Sequence, residues 1–322
     1  MPRRSTGDGR YDGILVVDKP TGPTSHEIVD LVRRLTGVRR VGHGGTLDPF
    51  ASGVLPVFVG RATRLVEYHM ADDKGYRAVV AFGARSTTDD IDGELTQAHG
   101  PPAREQVEAA LAAFRGTIQQ VPPAHSAVHV GGRRAYELAR RGESPELRPR
   151  TVRVDRLELV DWQDDPERPS GTLEIACTAG TYVRALARDL GEGLGSGAYL
   201  AALVRTASGP FRLEDADSLE TVRSALAEGR ADRVLRPPDT GLDAFPLVHP
   251  DATELEALVR GQAIRLPGPI SRAAAGEGRV RVADERGRLV AIARTVGDRL
   301  QPEKVLRTAD EVDRPAPVGA AG

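Results

Sequence analysis

At 322 residues, 40% hydrophobic and 28% charged, the chain can bury a large core and exceeds what one average domain needs, so a main domain with a smaller companion is expected. No apolar run approaches the ~18 residues of a spanning helix, and residues 1–10 hold no hydrophobic stretch that could act as a signal peptide, which points away from membranes and to the cytoplasm. A formal charge of −2 argues against indiscriminate coating of nucleic acid, and the single cysteine, Cys177, excludes a disulfide framework or a cysteine metal cluster within one chain.

The polar residues 1–10 read as a mobile tail. Gly13-Ile-Leu-Val-Val17 then reads as a short buried strand running into the turn Asp18-Lys-Pro-Thr-Gly-Pro23. A helix follows: Thr24 and Glu27 make a capping box, Ile28, Leu31, Val32 and Leu35 share a face, and Gly37 suits the position after the last turn. Tyr76 to Phe82 and Thr151 to Val160 read as strands, the second with Val152, Val154, Leu157 and Leu159 as its apolar members. Ala103 to Phe114 reads as an amphipathic helix with Val107, Leu111 and Phe114 inward. Another starts near Tyr182 and carries Val183, Leu186, Ala187 and Leu190 on one side. Strands and helices without strict alternation predict an α+β fold rather than a doubly wound sheet.

Arg236 to Pro246, rich in Pro, Gly and Asp, resembles a linker. Beyond it a capped helix near Asp251 to Arg260 precedes a hairpin in which Arg279-Val-Arg-Val-Ala283 alternates, Asp284 to Gly287 turns and Leu289 to Ala293 returns. These boundaries predict a unit over 11–240, a small β-rich module over 247–307, and disordered ends at 1–10 and 308–322.

Local charge departs from the global balance. Leu31 to Arg64 holds six arginines against one acid, Asp48, and Gly132 to Arg153 holds seven arginines against three glutamates; such patches can track a phosphate backbone. Lys19, Lys74 and Lys304 are the only lysines among 44 basic residues, so compositional bias toward arginine is an equally open reading. Inside the first patch, Gly42-His-Gly-Gly-Thr-Leu-Asp-Pro-Phe-Ala-Ser-Gly-Val-Leu55 sets one carboxylate and one imidazole among four glycines. Glycine lets backbone approach a ligand, and Pro49 restricts Asp48. Read plainly, Asp-Pro is also a common turn dipeptide, and the spacing fits neither the Walker pattern nor the dinucleotide fingerprint.

The stretch Gly-x-Thr-Leu-Asp-Pro-x-Ala-Ser-Gly-Val-Leu resembles the signature of the TruB-type tRNA pseudouridine synthases, and Asp18-Lys-Pro-Thr-Gly-Pro-Thr-Ser25 the motif that opens them. Further similar segments follow in the family's order: Lys74-Gly-Tyr76 with Gly83 and Thr88-Asp-Asp90, Ser126-Ala with Gly131, Ala135, Tyr136 and Ala139-Arg140, Gly180-Thr-Tyr-Val-Arg184 with Asp189-Leu-Gly191, and Leu203, Arg205, Thr206 and Gly209. The resemblance spans Gly13 to Phe211 and implies an isomerase with a mixed sheet and catalytic cleft that turns a uridine of the tRNA T loop into pseudouridine without metal or cofactor.

It further implies Asp48 as the essential carboxylate, acting as nucleophile on the ribose or as the base that takes a ribose proton, ionised in either role. Arg184 matches the arginine paired with it, a contact expected to hold the carboxylate pKa down despite burial. Tyr76 matches the aromatic that stacks on the everted uracil, Tyr182 the tyrosine on its other side, His43 the histidine filling the vacated place, Leu203 an apolar wall, and Lys19 a support for the catalytic loop. The C-terminal segments Gly278 to Ala293 and Leu300 to Leu306 resemble a PUA-type RNA-binding domain, which would reach the acceptor stem. A monomer without protein partners is implied. An idle RNA-binding or tRNA-folding protein on this fold, and a guide-RNA-dependent synthase, are the rival readings. The chain departs from the family pattern at His125 (usually aromatic), His129 (lysine), Ser86 (threonine) and Val204 (arginine).

Overall fold

The computed structural model describes residues 11–98, 100–126, 128–130, 132–135, 138, 141, 146–265 and 278–308. The tails expected to be disordered, apart from Thr308, and Gly131, Tyr136, Ala139 and Arg140 of the resemblance lie outside the described residues.

A mixed eleven-stranded sheet forms the centre of the larger unit among the described residues. Its main strands are β1 (Gly13–Lys19), β2 (Val41–His43), β3 (Ser52–Val59), β4 (Lys74–Phe82), β5 (Gly116–Gln120), β6 (Arg150–Gln163), β7 (Ser170–Cys177) and β8 (Ala198–Ser208). Their order across the sheet is β1-β3-β8-β4-β7-β6-β5, with β2 hydrogen-bonded to β3. Neighbours are antiparallel except at the β3–β8 seam, where only Val204↔Ser52 and Arg205↔Gly53 pair, in parallel. Helix α1 (Ser25–Thr36) has the expected capping box between Thr24 and Glu27 and ends at Gly37, φ 68°. It buries Ile28, Val29 and Val32, with Leu35 packed against the same core. Of the other helices, α2 (Val66–Met70), α3 (Arg104–Ala110) and α4 (Val183–Gly193), the last buries Val183, Leu186, Ala187 and Leu190. The expected Ala103 to Phe114 helix holds its α geometry only to Ala110 and finishes as a 3₁₀ turn to Phe114.

In β6 the buried positions change parity, from Val152 and Val154 to Leu157. The cause is a bulge: Val154 pairs with Cys177 and Arg156 with Ala176, so Asp155 is the extra residue and the side chains switch face until a second register shift between Leu159 and Asp161.

Beyond α5 (Leu219–Ala227) and the capped α6 (Ala252–Val259), strands β9 (Arg279–Ala283), β10 (Leu289–Val296) and β11 (Arg299–Val305) form a second sheet, with short flanking strands at Leu247–Val248 and Ile264–Arg265. Its own core includes Leu255, Leu258, Val280, Val282, Val290 and Leu300. The segment resembling a linker is tied down: Leu242 packs with Leu65, Leu289, Ile292 and Leu306, and Arg281 reaches Asp239, Asp243 and the Phe245 carbonyl. A further ion pair, Lys304–Glu67 at 2.6 Å, joins the second sheet to α2.

The β3–β8 seam depends on Gly53, whose φ is 102° and whose Cβ, if present, would lie 2.3 Å from the Arg205 carbonyl oxygen. Gly53→Ala should therefore lower stability by more than the roughly 1–3 kcal/mol of positive-φ strain alone. A urea melt should show a lower midpoint with little change in slope; a wild-type midpoint would contradict the close approach.

Candidate active site

The turn that carries Asp48 leads into β3, and neighbouring elements hold its backbone at almost every step. Ser25 at the start of α1 both donates to the Leu47 carbonyl (3.1 Å) and accepts from the Leu47 N–H (2.9 Å). Pro49 offers its carbonyl to the Gly22 N–H at 2.8 Å and to the Lys19 ammonium at 3.5 Å. Lys19 is fully buried and also donates to the Pro20 and Pro23 carbonyls at 2.9 and 2.8 Å, so one cation ties the Asp18–Pro23 turn to the Asp48 turn. Burial lowers its pKa to about 8 against the opposing pull of Asp48.

From the far side of the seam, the guanidinium of Arg205 on β8 donates to the Val54, Gly45 and Thr46 carbonyls at 2.7, 3.1 and 3.4 Å. Asp48 thus projects from a turn anchored on both flanks.

Arg184, the second residue of α4, meets it there: its Nε lies 3.1 Å from Asp48 Oδ2. The same guanidinium contacts Asp90 Oδ2 at 3.2 Å and donates to the Thr88 and His125 carbonyls at 3.2 and 3.0 Å. The guanidinium thus makes two hydrogen bonds to carbonyls and an ion pair with each of two carboxylates. Asp90 is held on its other oxygen by the Thr88 hydroxyl and the Asp92 N–H. The Arg184 and Asp90 side chains are 7% and 5% exposed, whereas Asp48 keeps 36%, so the exposed end of this acid–arginine–acid chain is the Asp48 carboxylate.

Ionisation behaves differently from the sequence expectation. Burial pushes the Asp48 carboxyl above its ordinary range; Arg184 pulls it back, while Asp90 and then Asp92 push it further up. The ion pair does not hold the pKa down because the cost of burying the charge outweighs it, and the nearby Asp90 and Asp92 add repulsion.

Of the other expected site residues, Tyr76, Leu203 and His43 lie around Arg205. Tyr76 on β4 sits directly opposite Arg205 on β8, and Leu203 opposite Ala78. Alternation places Tyr76, Leu203 and Arg205 on one face of the sheet. Tyr76 is half-buried and in polar contact with Arg205, and burial raises its phenol. Leu203 is buried at 7% exposure, consistent with a wall. His43 ends β2 opposite Val57 on β3, with Nδ1 buried and lacking a hydrogen-bond partner among the described residues. Burial, then Arg205 and His26, disfavour its imidazolium, leaving a neutral half-buried ring.

Tyr182 caps α4. Gln120, itself 1% exposed, locks its backbone by accepting from the Tyr182 N–H at 2.7 Å and donating to its carbonyl at 2.9 Å. Of the first basic patch, Arg33 pairs with Asp30 and Arg61 with Asp12, while Arg34, Arg39, Arg40 and Arg64 are exposed.

Sequence reasoning gave no site role to Asp90, Arg205, Gln120 or Ser25. Asp90, Arg205 and Ser25 lie inside segments that resemble the family, but a contact between Arg184 on α4 and Asp90, far apart in the chain, leaves no mark in local pattern.

Known proteins with related chains are consistent with this arrangement. Residues 33–183 match the TruB family pseudouridylate synthase (N terminal domain), and residues 184–243 match the tRNA pseudouridylate synthase B C-terminal domain. The tRNA pseudouridine synthase B of Gloeobacter violaceus is 44% identical over 300 residues, covering 92% of this chain and 99% of that protein. The protein of the same name from Symbiobacterium thermophilum is 50% identical over 239 residues, 74% of this chain and 78% of the relative. Among solved structures, a chain of an H/ACA RNP bound to a substrate RNA containing 2′-deoxyuridine superposes with a TM-score of 0.68 at 25% identity, covering 94% of this chain and 86% of that one.

The raised Asp48 carboxyl carries a stability signature. The folded state holds this proton more tightly than the unfolded chain, so ionisation costs stability as pH rises from the ordinary aspartate value through the elevated one. Asp48→Asn lacks the titration and should be more stable than wild type at neutral pH. The advantage should shrink as pH falls toward about 4, the ordinary aspartate range. Thermal melts of both proteins between about pH 4 and pH 7 check it; a constant or reversed difference would refute the shift.

Proposed function

This chain belongs to the TruB family of pseudouridylate synthases, and from that membership together with the Asp48–Arg184 geometry we propose that Asp48 acts on the target nucleotide inside the site just described. The chain is an isomerase that converts uridine in tRNA to pseudouridine.

The reaction breaks the N-glycosidic bond, turns the uracil while it is held, and rejoins it through carbon C5. A carboxylate can begin this by attacking the anomeric carbon or by removing a ribose proton, and both steps need the ionised form. The partly exposed Asp48 oxygen pair suits either role, because the buried Arg184 fixes its orientation without closing it off. This pairing is the observation that carries the proposal.

A base within a folded loop must leave its stack first, at a cost of a few kcal/mol. We assign Tyr76 to stack on the everted uracil beside Leu203, and Tyr182 to line the opposite side. The neutral His43 ring, with its orphaned Nδ1, would fill the vacated position and recover part of that cost through stacking and one hydrogen bond. Lys19 holds the catalytic turn rather than reacting, since three carbonyls already engage its ammonium.

The T loop at the uridine conventionally numbered 55 is the proposed target, in a cytoplasmic monomer with a catalytic unit at 11–240. The module at 247–307, PUA-like in this reading, would touch the acceptor stem. Among the described residues, no helix is long and apolar enough to cross a membrane. The named relatives at 44% and 50% identity are tRNA enzymes, whereas the H/ACA ribonucleoprotein chain is 25% identical, which favours direct action on tRNA over guided action.

Incubating unmodified tRNA transcript with wild-type and Asp48→Asn protein, followed by chemical mapping of pseudouridine, tests the reading. The wild type should modify the T loop, and the variant should bind tRNA but form no product; product from the variant would remove Asp48 from its role. The wild-type single-turnover rate should climb with pH along an acid limb above the ordinary carboxylate range, because the required form of Asp48 is the ionised one. Arg184→Met should slow that step about 10²–10³-fold with tRNA affinity nearly intact, as removal of one preorganised charge contact does. Without the guanidinium, repulsion from Asp90 should also move the limb upward. Unchanged turnover would show the ion pair to be dispensable.

A further inference from the structure

The largest fully buried side chain among the described residues belongs to none of those assigned above. Arg205 is 1% exposed, and among the described residues no carboxylate pairs with it. An interior cation without a counter-ion is unfavourable unless its donors are well met. Here they are met by the Val54 carbonyl on β3 and the Gly45 and Thr46 carbonyls of the Asp48 turn, while Tyr76, directly opposite on β4, lies in favourable polar contact with the charge.

These partners sit on the two separate elements that must be spaced correctly for the reaction. Thr46 is two residues before Asp48, and Tyr76 carries the ring assigned to the uracil. The approach is built into the backbone as well, since Gly53 brings β3 against Arg205 and a Cβ on Gly45 would lie 3.5 Å from Arg205 Nη1.

We propose that Arg205 is a positioning residue that sets the distance and angle between the Asp48 turn and the Tyr76 ring, because its guanidinium holds carbonyls of the first while it stands opposite the second across the β4–β8 ladder. The inference rests on the roles proposed above for Asp48 and Tyr76. Arg205 touches neither the Asp48 carboxylate nor any surface open to RNA, so it acts through those two groups. A planar guanidinium can serve divergent acceptors at once, whereas a lysine keeps the charge but not the fork. Its loss should therefore affect the chemical step rather than the binding of tRNA.

The test measures single-turnover rate, tRNA dissociation constant and thermal midpoint for wild type, Arg205→Lys, Tyr76→Phe and the double variant. Folded Arg205→Lys should lose on the order of 100-fold in rate, the size expected for a misplacement near 1 Å, with its tRNA dissociation constant close to wild type. Rate losses in Arg205→Lys and Tyr76→Phe should combine less than multiplicatively, because both changes break the same contact.

A wild-type rate in folded Arg205→Lys, a loss confined to tRNA affinity, or strictly multiplicative losses would each overturn the proposal. If Arg205→Lys fails to fold, Tyr76→Phe decides alone: a slower step with tRNA affinity kept supports the contact, and a wild-type rate overturns it. A wild-type protein that forms no pseudouridine would instead refute the assigned activity and leave the Arg205 geometry standing.

Discussion

The turn from Gly44 to Ala51 presents one carboxylate to a guanidinium on a distant helix, and several buried polar side chains of the larger unit serve that requirement. Ser25, Lys19 and Arg205 come from three elements, and each is spent on backbone carbonyls or N–H groups of this turn or its neighbour. All three are buried, at 2%, 0% and 1% exposure. A buried hydroxyl, ammonium and guanidinium would each be unfavourable unsatisfied, so the fold is stable only with the turn in this conformation. Catalytic geometry and polar satisfaction are here the same condition, which is how a glycine-rich turn becomes a rigid support.

The electrostatic design follows from sharing. Arg184 could neutralise one carboxylate well, but it is divided between Asp48 and Asp90. The more buried acid, Asp90, receives the Thr88 hydroxyl and Asp92 N–H as extra support, while Asp48 keeps fewer partners and its carboxyl rises. A less stabilised carboxylate is the more basic and more nucleophilic one. On the role proposed for Asp48, the arrangement gives up some stability there to gain reactivity, and leaves the buried Asp90 to hold the guanidinium in place.

Much of the fold was legible because its signals are local. The capping box at Thr24 and Glu27, the αL glycine at Gly37 and the apolar face of α4 depend on residues three or four apart, and each formed as read. The apolar set of β6 was also correct, although its parity change could only be understood once the bulge at Asp155 appeared. Less was legible in the linker. Composition marked Arg236 to Pro246 as a spacer, but Leu242 and the acids Asp239 and Asp243 find partners far along the chain. The site divides in the same way. Residues within motifs were identifiable through resemblance, whereas the pKa direction of Asp48 depends first on how deeply the turn buries it and then on Asp90 and Asp92 beside it, none of which spacing encodes.

The departures from the family pattern show which atoms the site uses. His125 stands where an aromatic is usual, yet the structure calls on its main-chain carbonyl, which accepts from Arg184 at 3.0 Å and is supplied by any side chain. Ser86 replaces a threonine and keeps the hydroxyl, which donates to the Asp90 carbonyl and so preserves the turn that aims that carboxylate. Val204 replaces an arginine between Leu203 and Arg205, and strand alternation turns it to the other face, beside Arg77. In each case the lost group lies outside the contacts that fix Asp48, Arg184 and Tyr76. The substitutions are tolerable there because the site is specified by hydroxyl, carbonyl and face, and much less by the names of the residues that provide them.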